Sequence, residues 1–222
     1  MESLKNLAEY LESYSGRDKV MRILYYAAQY AAGRTCTPEV QDKLNEFSDQ
    51  INSCRTVLRL FDDIPMLYYT LSYGLGKKEP EKFLSFCGVA VNALDQLYYP
   101  VEHIAWAADC KLLPFKSDRW WTASSICWAL SMYLMVLKSL RHQRIIQNIR
   151  KNIAQMRGVS QENIHALSTL QKNEMLTAIR CLLDLVHAVH WLPYGFLWAG
   201  KLKQWHIGIL GILSSLISLC QS

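Results

Sequence analysis

Apolar positions recur every three to four residues from the start of the chain, the spacing of helices with one buried face. Leu4, Leu7, Ala8, Leu11 and Tyr14 mark a short first helix that stops at Ser15-Gly16. Val20, Ile23, Leu24, Ala27 and Ala31 restart the period from Arg17 to Ala32, ringed by Arg17, Lys19, Arg22 and Arg34, with only Asp18 opposing them. That basic amphipathic pattern suits a membrane interface and equally the surface helix of a bundle. Beyond Pro38 the stripe tightens to alternating steps of four and three: Val40, Leu44, Phe47, Ile51, Cys54, Leu58, Phe61. A heptad of this kind predicts a seam against another helix, of this molecule or of a second copy. Its flanks are acidic, which favours a helix partner over anionic lipid, and Pro65 is expected to end or kink it.

Gly74 to Pro80 is an expected hinge, Glu81 to Tyr99 a helix that Pro100 breaks, and Val101 to Cys110 a further short helical turn. The run from Trp120 to Leu137 carries no charge. As a helix it reaches roughly 27 Å, close to the roughly 30 Å hydrocarbon core of a bilayer. Trp120 and Trp121 stand at one end as interfacial rings, Trp128 lies inside, and cations bracket both ends. The helix is expected to continue to Met156, with Lys138, Arg141, Arg144, Arg150, Lys151 and Arg157 on its polar face and no acid until Glu162, a juxtamembrane anchor. Gly158 and Ser160 open a loop, and a helix from Ile164 to Trp191 follows. The last uncharged run, Gln204 to Ser222, starts with Trp205 and sets Gly208, Gly211, Ser215 and Ser218 on one face. Small residues so spaced let helices approach closely, which predicts pairing with the central segment or with another copy. No strand-type alternation recurs, so the fold class is all-α: an amphipathic helical bundle with one or two, and up to three, transmembrane helices. The expected regions are 1–119, 120–137, 138–203 and 204–222.

Charge sharpens this division. Residues up to Arg119 carry a net −2 and those from Lys138 onward a net +7, split at the apolar run. Seven scattered cysteines with no C-x-x-C pair point to reduced thiols facing a cytosol-like compartment. Glu2, Glu9 and Glu12 with no apolar core make a secretory signal or mitochondrial presequence unexpected at the start. Phosphate loops, nucleophile elbows and H-E-x-x-H are absent. Asp184, His187 and His190 share a helix face and would hold a metal only with a fourth ligand that is not evident, so no catalytic residue, metal or cofactor is expected. A basic strip between apolar segments is poorly placed to track phosphates, which argues against nucleic acid.

Three blocks carry a family resemblance: Leu11-Glu-Ser-Tyr-Ser-Gly-Arg-Asp-Lys-Val-Met-Arg-Ile-Leu, Ser53-Cys-Arg-Thr-Val-Leu-Arg-Leu-Phe-Asp-Asp, and Trp205-His-Ile-Gly-Ile-Leu-Gly-Ile-Leu-Ser-Ser-Leu-Ile-Ser-Leu. They resemble the peroxin-11 family of peroxisomal membrane proteins, the last block its gamma type. The resemblance implies a multi-pass peroxisomal membrane protein with cytosolic termini. It further implies that the protein self-associates, and associates with related members, elongates the organelle by inserting amphipathic helices, and recruits a fission adaptor and a dynamin-related GTPase. Delivery by the cytosolic chaperone of peroxisomal membrane proteins is implied as well. The family's membrane-bending helix is basic, whereas the heptad helix here is acidic, so that role moves to Arg17–Arg34 or Lys138–Arg157. On topology the positive-inside rule pulls the other way, setting the +7 half, rather than the termini, on the cytosolic side. The alternative is a soluble all-α adaptor that uses its heptad helix to bind partner helices.

Truncation after Lys203 is expected to weaken membrane retention, measured as lost resistance to alkaline carbonate. A truncated chain that stays fully resistant would remove Gln204 to Ser222 from the spans.

Overall fold

The structure, a computed structural model, describes residues 1–155 and 161–221. The described residues form eight α-helices and no strand: α1 Glu2–Glu12, α2 Tyr14–Ala32, α3 Pro38–Arg59, α4 Asp63–Tyr73, α5 Lys82–Asp109, α6 Asp118–Gln155, α7 Gln161–His190 and α8 Gln204–Cys220. The expected loop at Gly158 and Ser160, with Met156 and Arg157, lies outside them. Neighbours in space run α3, α2, α8, α7, α6, α5, while α1 leans on α2 and α4 on α5. The row returns on itself, because Arg59 at the end of α3 reaches Glu102 in α5 at 2.6 and 2.9 Å. The long helices α2, α3, α5, α6 and α7 thus line a shared cleft, bridged between α3 and α5 by these side chains.

Local chemistry moves several of the expected boundaries. The first break falls at Ser13 instead of Ser15-Gly16: Ser13 is extended and its hydroxyl accepts from the Gly16 N–H at 3.0 Å, capping α2. A hydroxyl N-cap satisfies a donor that a glycine stop leaves open. The heptad helix ends at Arg59, and Pro65 belongs to the first turn of α4, where its missing N–H has no helical partner to lose. Pro100 does not break α5. Its ring removes one backbone bond, yet α6 runs alongside both halves, with Lys138 bonded to Glu79 just ahead of α5 and Trp121 to Asp109 at its end. Leu84, Cys87 and Val91 are buried before the proline, and Ala105 and Ala108 after it.

The largest difference concerns α8, which packs on α2 and α7 rather than on the central segment α6. Gly208 and Gly211 make this possible. A Cβ on Gly208 would lie 2.4 Å from the backbone nitrogen of Tyr30, and one on Gly211 would lie 2.2 Å from the Tyr26 ring. Ser215 is buried beside them and returns its hydroxyl to the Gly211 carbonyl at 2.6 Å. The small face reads as the sequence indicates, but its complement is a pair of tyrosines on α2.

The α3 seam is likewise displaced. Val40 and Phe47 are 43% and 46% exposed, whereas Leu44, Ile51 and Leu58 are half-buried. Facing inward are Ser48 and Thr56, both buried, together with Asn45, Arg55 and Arg59. Gln29 of α2 bonds Ser48 at 2.6 Å and Gln204 of α8 bonds Asn45 at 2.6 Å. The helix thus turns a polar side to its own bundle and leaves the outer line of the heptad at the surface.

Gly208→Leu is expected to force α2 and α8 apart and to destabilise the bundle by about 3 kcal/mol, the upper end for overpacking. Thermal unfolding of the detergent-solubilised protein measures this against Ile209→Leu, an exposed change on the same helix. Equal melting of parent and Gly208→Leu would refute the α2–α8 contact.

Candidate membrane surface and polar interior

The interior holds polar residues beside an apolar core of Leu84, Val91, Ile146 and Ile207, and many large apolar side chains lie at the surface. Among the buried residues are Asn92, Glu102, Ser124, Ser131, Ser139, Asp184, His187, Ser214 and Ser215. Large apolar side chains face outward, including Ile126, Leu130 and Tyr133 on α6, Leu182 on α7, and Leu213 and Leu216 on α8. One described helix region, Asp118–Ile153, is long and apolar enough to cross a bilayer, and α8 is a shorter apolar helix. Trp120, Trp121, Trp128 and Leu137 are all half-buried, so the expected span offers one face to its surroundings and another to the bundle. Its hydroxyls behave as a span requires: Ser124 and Ser125 both donate to the Trp121 carbonyl, at 2.9 and 2.8 Å.

Three arginines cross the interior. Arg22 of α2 donates to Asp184 of α7 at 2.7 Å and to Ser214 of α8 at 3.1 Å. Arg55 grips Asp18 with two bonds, at 2.8 and 3.2 Å, and Arg59 grips Glu102, which also accepts from the Tyr98 hydroxyl at 2.7 Å. These forked pairs match the planar geometry of guanidinium and carboxylate. Arg22 therefore differs from the surface cation that α2's periodicity implies: it is turned inward because Asp184 needs a counter-charge there. Arg17 stays exposed, and Lys19 is half-buried with its ammonium 3.4 Å from the Ser218 carbonyl.

The basic strip of α6 divides in two. Lys138 pairs with Glu79 at 2.8 Å, and Arg141 pairs with Glu81 through two bonds of 2.7 Å. Their acids sit about sixty residues upstream, on the connection into α5, so the cations the chain order leaves uncompensated are compensated in space. Arg144, Arg150 and Lys151 remain exposed, with Arg150 donating to the Gln171 amide oxygen at 3.2 Å. At the other end of the bundle Trp205 lies under the Arg34 guanidinium, 5.8 Å from the ring centre.

The Asp184, His187 and His190 face is resolved into separate bonds. His187 meets the Tyr26 hydroxyl at 3.2 Å and accepts from the Trp191 indole at 2.8 Å, while His190 accepts from the Leu202 N–H at 3.3 Å. Burial, then the charges of Arg22 and His190, pushes the His187 pKa down to about 3.

The surface that sequence reasoning passed over is α4. From Ile64 to Gly76 there is no charged residue; Ile64, Tyr68 and Leu71 are 72–78% exposed along one line of α4, and Leu75 is exposed past the turn at Gly74. The spacing of four and three from Ile64 through Tyr68 to Leu71 was the available signal. Asp62 and Asp63 ahead of them point into the protein, toward the Tyr14 hydroxyl at 3.1 Å and the His103 ring at 3.2 Å. Lys77 and Lys78 follow, both exposed.

Comparison with known proteins places this geometry. The family model for Peroxisomal biogenesis factor 11 matches residues 4–222. Peroxisomal membrane protein 11C of Homo sapiens is 43% identical over 229 residues, an alignment covering 100% of this chain and 95% of the relative. The protein of the same name from Mus musculus is 42% identical over 232 residues, with the same coverage. No solved structure matches the chain.

Acid is expected to loosen the interior. His187 resists protonation in the folded state but not in the unfolded one, so its share of stability is complete above the ordinary histidine pKa of about 6.5 and is lost as pH falls below it. The loss approaches about 1.4 kcal/mol per pH unit. Melting temperatures between pH 7.5 and 5.5 should fall for the parent and stay nearly flat for His187→Gln; equal slopes would place His187 in contact with solvent.

Proposed function

The chain belongs to the Peroxisomal biogenesis factor 11 family of peroxisomal membrane proteins, and from that premise we propose that it elongates the peroxisomal membrane through α4. In this reading α6 from Trp120 to Leu137 crosses the bilayer, α8 crosses as a second span, and both termini face the cytosol. The observation that carries it is the uncharged, outward line of Ile64, Tyr68 and Leu71 on α4, with Leu75 exposed just beyond its end. A helix lying at headgroup depth expands one leaflet relative to the other and favours curvature. Lys77 and Lys78 at its end suit lipid phosphates, and the two acids before it are already engaged within the protein. This assignment replaces the basic helices Arg17–Arg34 and Lys138–Arg157, since Arg22 and Lys138 hold carboxylates inside the bundle and Arg141 pairs with Glu81 at its surface. Arg17, Arg144, Arg150 and Lys151 keep the part of surface cations that seat the bundle on an anionic leaflet or present it to the delivering chaperone.

Curvature needs many copies at close range, and the exposed line of Val40 and Phe47, with Leu44, Ile51 and Leu58 beside it, is the surface for a second copy or a related member. A fission adaptor and a dynamin-related GTPase would then act on the elongated membrane. No step requires an active site.

Ile64→Glu with Leu71→Glu changes two exposed residues, so the fold should persist, while each charge resists the hydrocarbon by about 2–3 kcal/mol. In anionic vesicles the double variant is expected to remain carbonate-resistant yet to produce several-fold fewer tubules by electron microscopy. Tubulation equal to the parent would assign curvature to another helix.

A further inference from the structure

Between the helices lies a partly open cavity of about 740 Å³, within the range of small-molecule sites. Its walls come from α2, α3, α5, α6 and α7, and their chemistry is specific. Met132 is the one aliphatic side chain among the described lining residues; the rest are aromatic rings or polar and charged groups. An acyl chain would find almost no aliphatic wall. A planar, hydrogen-bonding molecule finds stacking surfaces and donors throughout.

The charge is polarised along α7. Four guanidiniums line the cavity, and those of Arg22, Arg55 and Arg59 are held by Asp184, Asp18 and Glu102. Arg180 has no hydrogen-bond or ion-pair partner among the described residues, although it is half-buried. Asp184, His187 and Trp191 follow it at helical spacing and line the same cavity, so one face of α7 runs from a free cation to an aromatic end roughly 16 Å away. At that end Trp128 and Trp191 flank His187, with ring centres 5.4 and 6.1 Å from it. The one wall carboxyl without a guanidinium partner is Asp95, whose pKa burial raises, which weakens its opposition to an anion.

We propose that this cavity is a binding site for a phosphate ester carrying a planar aromatic ring, the chemistry of a nucleotide, with Arg180 on the phosphates and Trp128 and Trp191 against the ring. Guanidinium recognises phosphate through parallel N–H bonds, and bases stack on tryptophan whatever their identity. The site is independent of α4 and of membrane elongation, so either assignment can fail without the other.

The full-length protein in lipid nanodiscs is titrated with ATP, pyrophosphate, adenosine and oleate, followed by calorimetry and by tryptophan fluorescence. ATP is expected to bind saturably and to raise the melting temperature, with pyrophosphate and adenosine each at least tenfold weaker. Arg180→Gln strands no partner and should fold; it is expected to weaken ATP at least tenfold, and Arg180→Lys less. Trp128→Leu should weaken ATP about fivefold and leave pyrophosphate unchanged. The assignment is overturned by an absence of saturable ATP binding to the parent, by ATP binding that neither variant alters, or by oleate binding more tightly than ATP and being lost in the same variants.

Discussion

The bond from Arg22 to Asp184, shared with Ser214, joins α2, α7 and α8 at one point inside the bundle. A guanidinium and a carboxylate withdrawn from water are costly, and removing either partner alone typically costs about 3–5 kcal/mol because the other is left unpaired. The pair is therefore an obligation: once Arg22 turns inward, α7 has to bring Asp184 to it. Arg55 with Asp18 and Arg59 with Glu102 extend the same obligation to α3 and α5. Arg22 brings the N-terminal third of the chain against its C-terminal third, while Arg55 ties α3 to α2 and Arg59 bridges α3 and α5.

The interior mixes such polar pairs with apolar side chains, among them Leu84, Val91, Ile146 and Ile207. In a hydrocarbon surrounding, apolar contact offers no advantage to helix association, and close approach of small residues and polar bonds take its place. Gly208 and Gly211 against Tyr30 and Tyr26, with Ser215 bonded to its own helix, are the first kind of contact; the arginine pairs are the second. Outward leucines and isoleucines are then the ordinary choice for a lipid-facing surface.

What the amino-acid order discloses follows the range of the interaction. Helices are local, and the periodicity of Val40 to Phe61 or the uncharged run of Trp120 to Leu137 locates them within a few residues. Caps shift the edges, as Ser13 does, because one hydroxyl decides between neighbouring stops. Partner choice is not local. The heptad shows that α3 has an apolar stripe but not that Ser48, Thr56, Arg55 and Arg59 give its other side a stronger claim on the bundle. Lys138 and Arg141 look unopposed along the chain because Glu79 and Glu81 reach them only after α5 and α6 pack side by side. The block Cys54-Arg-Thr-Val-Leu-Arg-Leu hints at this, since Arg55 and Arg59 stand four apart in an otherwise apolar stretch.

The pairing of an early helix with a late one also sets an order of events in time. Arg22 and Asp184 are 162 residues apart, and Lys19 meets Ser218 across 199. Contacts of such separation form slowly, and during synthesis they cannot form at all until the later helix has left the ribosome. Until then α2 carries an unanswered buried-type cation and a tyrosine face without its glycine complement. Asp18–Arg55 and Arg59–Glu102 can pair early, whereas α2 finds α7 and α8 only late in synthesis and must be kept from aggregating until then.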